Sequence, residues 1–83
     1  MRLIIIEDDH ALRNLLQEQL ISAGFDVDSC ADGEEGLYRA TEFSYDLAII
    51  DIGLPKLSGM EVIKQLRENQ QTLPILILTA RSS

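Results

Sequence analysis

Four carboxylates hold the spacing that invites chemistry. Glu7, Asp8 and Asp9 follow the apolar run Leu3 to Ile6, and Asp51 follows a second apolar run, Leu47 to Ile50. Near-continuous hydrophobic runs of this length read as strands of a buried parallel sheet, so the acids gather at its carboxyl edge. Two carboxylates about 4 Å apart repel by roughly 4 kcal/mol at an effective dielectric near 20, which calls for a cation between them. Mg²⁺ suits such a set, since it takes oxygen ligands octahedrally and is usually held by one or two carboxylates with waters and a phosphate oxygen. Asp8 and Asp51 are the expected direct ligands, Glu7 a direct or water-bridged one, and the Gly53 backbone carbonyl a further oxygen. Ca²⁺ needs more oxygens, and with His10 the sole histidine a transition-metal site is not expected.

A carboxylate beside a divalent cation is also a nucleophile toward phosphorus, giving an aspartyl phosphate. Asp51 is the expected acceptor because it stands alone before a Gly-containing loop, where a donor approaches with least crowding. Thr79, after a further apolar run Ile75 to Leu78, offers a hydroxyl to a phosphoryl oxygen, and the small Ala80 leaves space for the group. Each residue has a plainer reading. Paired acids often only favour a helix N-terminus, and Asp9 is assigned that role, with Asp8 as ligand. Thr79 alone is an ordinary strand-end hydroxyl; its weight comes from the joint pattern.

The elements that position these residues follow from periodicity. Leu12, Leu15, Leu16, Leu20 and Ala23 have helical spacing, ended by Gly24. Phe25 to Cys30 alternates like a half-exposed strand. Asp32 with Glu35 makes a weak capping box before a short helix carrying Gly33, Leu37 and Ala40. Tyr45 to Ile50 is the third strand, and Ser58 with Glu61 caps a helix bearing Val62, Ile63 and Leu66. Pro74 precedes the last strand, Ile75 to Leu78. Alternating strands and helices imply an α/β fold with a parallel open sheet and helices on both faces.

Composition bounds the rest. The 83 residues suit one small domain with an aliphatic core, 46% of them being hydrophobic and 5% aromatic. A net charge of −7 without a Lys/Arg cluster argues against nucleic-acid binding by this segment. The leading apolar run is too short for a signal-peptide core or membrane span, so no membrane role is expected and the expected location is cytoplasmic. Cys30, the sole cysteine, reads as a packed side chain.

Taken together, Glu7-Asp8-Asp9, Asp51 with Leu54-Pro55 and Gly59, and Leu78-Thr79-Ala80-Arg81 resemble the receiver domain of two-component response regulators of the OmpR/PhoB subfamily, over Arg2 to Arg81. The resemblance implies a flavodoxin-like, doubly wound parallel sheet, here about four strands and three helices in the order 2-1-3-4. It implies that Asp51 accepts a phosphoryl group from a sensor histidine kinase, that Glu7, Asp8, Asp51 and the Gly53 carbonyl hold Mg²⁺, and that Thr79 moves toward the phosphoryl group. Such a domain catalyses only its own phosphorylation and dephosphorylation, and controls a transcriptional output.

The family pattern runs on past Ser83 through a fourth helix, a fifth strand and a fifth helix. Residues 1–83 are therefore expected to be a single partial receiver without the family's phosphoryl-contacting Lys, its aromatic switch residue or a DNA-binding output domain; the full-length protein is expected to bind DNA. Lys56, Tyr38 and Tyr45 do not match those positions. The fourth strand as sheet edge implies self-association or element exchange with a partner. Two rival functions stand beside the receiver. A phosphohydrolase with an aspartyl nucleophile needs a second acid just after Asp51, where Ile52 and Gly53 stand. A phosphorylation-independent interaction fragment remains the stronger alternative.

Overall fold

The structure, a computed structural model, describes residues 1–78. Its elements in chain order are β1 (Arg2–Ile6), α1 (His10–Ser22), β2 (Asp26–Cys30), α2 (Gly33–Glu42), β3 (Leu47–Asp51), α3 (Gly59–Glu68) and β4 (Ile75–Leu78). The strands form one parallel sheet, as the alternating pattern implies, in the order β2-β1-β3-β4 that the family resemblance implies.

β1 is central because its residues are apolar on both sides of the pleat: Leu3 through Ile6 are all buried. Ile4 and Ile6 join Ala48 and Ile50 of β3 beneath α2 and α3, where Ala40, Val62 and Leu66 close the main core with Cys30 and Leu54. The alternate residues Leu3 and Ile5 face the side covered by α1, whose Gln17 carboxamide oxygen accepts a hydrogen bond from Ser29 of β2 at 2.9 Å. α1 itself has no fully buried residue among the described ones; Leu15 and Ile21 are exposed and Leu12, Leu16 and Leu20 half-buried.

Each helix starts where an oxygen side chain meets an otherwise unpartnered backbone N–H. Asp9 accepts from Leu12, Asp32 from Glu35 and Ser58 from Glu61, at 3.1, 2.8 and 3.2 Å. The two expected capping boxes are only half formed. Glu35 turns to Arg39 at 3.0 Å and Glu61 to Gln65 at 3.1 Å, because a partner one turn along competes with the reach back to the cap. α2 spans ten residues, the same as α3, so it is longer than its narrow apolar stripe suggests. Strand β3 starts at Leu47 rather than Tyr45, since Tyr45 leaves the ladder to donate from its hydroxyl to Asp28 at 2.6 Å. β4 is an edge among the described strands, with Leu76 and Ile77 exposed.

Candidate functional site

The site is assembled by the ends of β1 and β3, which lie side by side with Ile6 paired to Ile50. Chain direction is the same in both strands, so the residues that follow leave the sheet at one edge. Glu7 extends the β1 ladder by one bond, its N–H donating to the Cys30 carbonyl at 3.0 Å. Its own carbonyl accepts from Arg13 Nη1 at 2.9 Å, and its carboxylate Oε2 accepts the Asp9 N–H at 2.9 Å. Backbone and side chain of Glu7 are thus both fixed before any ligand is considered. Asp8 is exposed, on the open side of the cluster, and Asp9 caps α1 as expected.

Asp51 ends β3 and pairs in register with Leu78. The chain then turns sharply: the Ile52 carbonyl accepts from the Gly59 N–H at 2.9 Å, and a Cβ at Gly59 would overlap the Asp51 carbonyl oxygen. Only glycine allows α3 to begin that close to the strand end. Gly53 lies beside the acid, its Cβ position being 4.0 Å from Asp51 Oδ2.

Carboxylate oxygens of Glu7, Asp8 and Asp51 all lie within 4.8 Å of one another. Glu7 and Asp51 are buried, at 3% and 6% exposure, so their charges have little water to share. Burial is the main cause that raises the Glu7 proton affinity above that of an ordinary glutamate; the Asp9 N–H opposes it, and the negative charges of Asp51 and Asp8 add to it. The donor set fits Mg²⁺. Oxygens of one octahedron with bonds near 2.1 Å stand about 3 to 4 Å apart, so a 4.8 Å span suits two carboxylates bound directly and one reaching through water.

Three of the five expected site residues, Glu7, Asp8 and Asp51, bring carboxylate oxygens together, and the Gly53 Cβ position stands 4.0 Å from Asp51 Oδ2. The fifth, Thr79, lies outside the described residues. Lys56 is engaged elsewhere, its Nζ 3.6 Å from Asp32 Oδ2. Sequence reasoning missed Arg13, whose contact with the Glu7 carbonyl is set by the helix turn and leaves no sequence signal beyond a cation in the second turn.

Comparisons agree with this geometry. Residues 3–83 match the response regulator receiver domain family. The two-component response regulator PhoP of Pseudomonas aeruginosa is 47% identical over 83 residues, covering 100% of this chain and 37% of the relative. The alkaline phosphatase synthesis transcriptional regulatory protein PhoP of Bacillus subtilis is 42% identical over 80 residues, covering 96% of this chain and 33% of the relative. The chain thus spans about a third of the length of these curated relatives. Among solved structures, response regulator TrrA of Thermotoga maritima in complex with Mg²⁺-BeF superposes with a TM-score of 0.91 at 37% identity, over 98% of this chain and 70% of that one. TrrA in complex with the histidine kinase ThkA gives 0.89 at 36% identity, over 99% and 71%. By fold, by acid cluster and by sequence, the chain belongs to the response regulator receiver domain family.

Proposed function

We propose that the chain is a phosphoacceptor, Asp51 taking a phosphoryl group from the phosphohistidine of a sensor histidine kinase, in a longer protein whose output is transcriptional. The observation that carries this is the gathering of Glu7, Asp8 and Asp51 oxygens within 4.8 Å at the ends of two buried strands. Support comes from TrrA, described in complex with Mg²⁺-BeF and with a histidine kinase.

Glu7, Asp8, Asp51 and the Gly53 carbonyl would hold Mg²⁺. Bound there, the ion neutralises phosphoryl oxygens and the crowded carboxylates. An Asp51 oxygen attacks phosphorus; the bond from phosphorus to the donor nitrogen breaks, and its electron pair leaves on the imidazole. The turn closed by Gly59 fixes the Asp51 backbone, while exposed Asp8 leaves the approach side open. Thr79, following the last residue of β4, donates its hydroxyl to a phosphoryl oxygen. The chemistry ends on the chain itself, as phosphorylation and dephosphorylation of Asp51.

A cytoplasmic setting accompanies this reading, and among the described residues no helix is long and apolar enough to cross a membrane. With a net charge of −7 the segment leaves DNA binding to the rest of the protein. The exposed Leu76 and Ile77 on edge strand β4 favour self-association as a second interaction.

Intact mass after incubation with Mg²⁺ and a small acyl phosphate tests the assignment. Wild type should gain one phosphoryl group and Asp51→Asn none. No adduct on wild type, or an undiminished one on the variant, favours the phosphorylation-independent interaction fragment instead.

A further inference from the structure

The loop from Ile52 to Ser58 carries Gly53 and joins Asp51 to α3, so its path decides where the fourth oxygen donor stands. It is tied on two sides. On the inner side, Gly59 bonds back to Ile52 and packs on the Asp51 carbonyl. On the outer side it meets the first turn of α2, an element none of whose residues belongs to the acid cluster. The Gly33 N–H donates to the Pro55 carbonyl at 3.3 Å, and a Cβ at Gly33 would overlap the Leu57 carbonyl. Asp32, the α2 cap, pairs with Lys56 at 3.6 Å. Lys56 itself has φ +68°, a left-handed conformation that a side-chain-bearing residue keeps only when its surroundings over-determine it. The strand feeding α2 is anchored to the site as well, since the Cys30 carbonyl accepts the Glu7 N–H.

The geometry points to Asp32 and Gly33, at the start of α2, as positioning residues that brace the loop after Asp51 and so set the Gly53 carbonyl against Glu7 and Asp8. The brace links two parts of the centre: β2 holds Glu7 through Cys30, and two residues later the same chain holds the Gly53 loop. This rests on the reading that the centre binds Mg²⁺ and that Asp51 is phosphorylated. Because coupling between two sites is reciprocal, metal binding must in turn tighten the contact between Gly33 and Pro55.

Titration with Mg²⁺ alone, followed by calorimetry, tests the brace in Gly33→Ala. A methyl group there pushes Leu57 outward, and the expected dissociation constant rises roughly tenfold, as it does when groups supporting metal ligands are disturbed. Ala40→Gly is the control: it loosens the same helix away from the loop and should keep wild-type affinity at a comparable loss of melting temperature. The brace is overturned if Gly33→Ala binds Mg²⁺ as wild type does, or if Ala40→Gly weakens binding equally. Should Gly33→Ala fail to fold, amide hydrogen exchange on wild type decides. Saturating Mg²⁺ should slow exchange at Gly33 by about fivefold or more while Phe43, at the far end of α2, is unchanged; equal slowing at both, or none, overturns it. If wild type binds no Mg²⁺, the functional reading falls with the brace. If wild type binds Mg²⁺ and gains its phosphoryl adduct while Gly33→Ala is indifferent, the brace falls alone.

Discussion

Glu7 is the acid whose ionisation the fold opposes, through burial first and through Asp51 and Asp8 beside it. A folded-state proton affinity above the unfolded one means that the folded chain binds more protons, so stability is lost as pH rises through the Glu7 range. Glu7→Gln keeps an oxygen for the Asp9 N–H and removes the charge. In chelator it should therefore melt higher than wild type at neutral pH, and the advantage should shrink as pH falls into the raised Glu7 range and wild type takes up its own proton. A lower melting temperature at neutral pH would contradict this. Mg²⁺ should stabilise wild type more than the variant. Cys30 makes the contrasting case: burial, with Glu35 adding to it, pushes its thiol up to about 12. The thiol should stay unmodified by an aromatic disulfide reagent in buffer and react fully in denaturant. Both residues were legible in type, since acids after an apolar run and a cysteine ending an alternating strand have few other roles. The hydrogen bonds that hold Glu7 were not, because the Arg13 guanidinium and the Cys30 carbonyl meet the Glu7 backbone, whose N–H and carbonyl every such residue carries.

At the scale of elements, the caps carry an expectation with a sign. The Asp32 carboxyl is held below the usual range, chiefly by the Glu35 N–H and then by Lys56. Its contribution is present above the unfolded value and lost as pH falls through the lowered folded one. Asp32→Ala should cost about 1 kcal/mol at neutral pH, measured by urea unfolding, with the gap to wild type closing in acid. A gap independent of pH would assign the loss to the alanine backbone rather than to the charge. All seven elements were readable from period and cap residues; the third strand begins at Leu47 because the Tyr45 side chain found Asp28, while the second begins one residue late at Asp26 and α2 outruns its apolar stripe. The close approach of Gly33 to Leu57 was not readable, because it joins two segments with no shared periodicity.

For the whole molecule, an edge strand bearing exposed Leu76 and Ile77 makes concentration the variable to watch. Light scattering on the 83-residue chain should show mass rising with concentration, and Leu76→Lys should suppress the rise, since a charge on an edge strand blocks pairing. A wild type that stays monomeric across the range would remove this interaction. The same sheet has a bearing on how the protein is made. β1 is bonded to β2 on one side and to β3 on the other, and both neighbours come later in the chain. A ribosome working from the N-terminus releases Leu3 to Ile6 first, yet their second neighbour, Leu47 to Ile50, emerges only after α1, β2 and α2 have been synthesised. The most apolar stretch of the chain must wait, half covered, for its last partner, and that interval is when a nascent chain has most use for a chaperone.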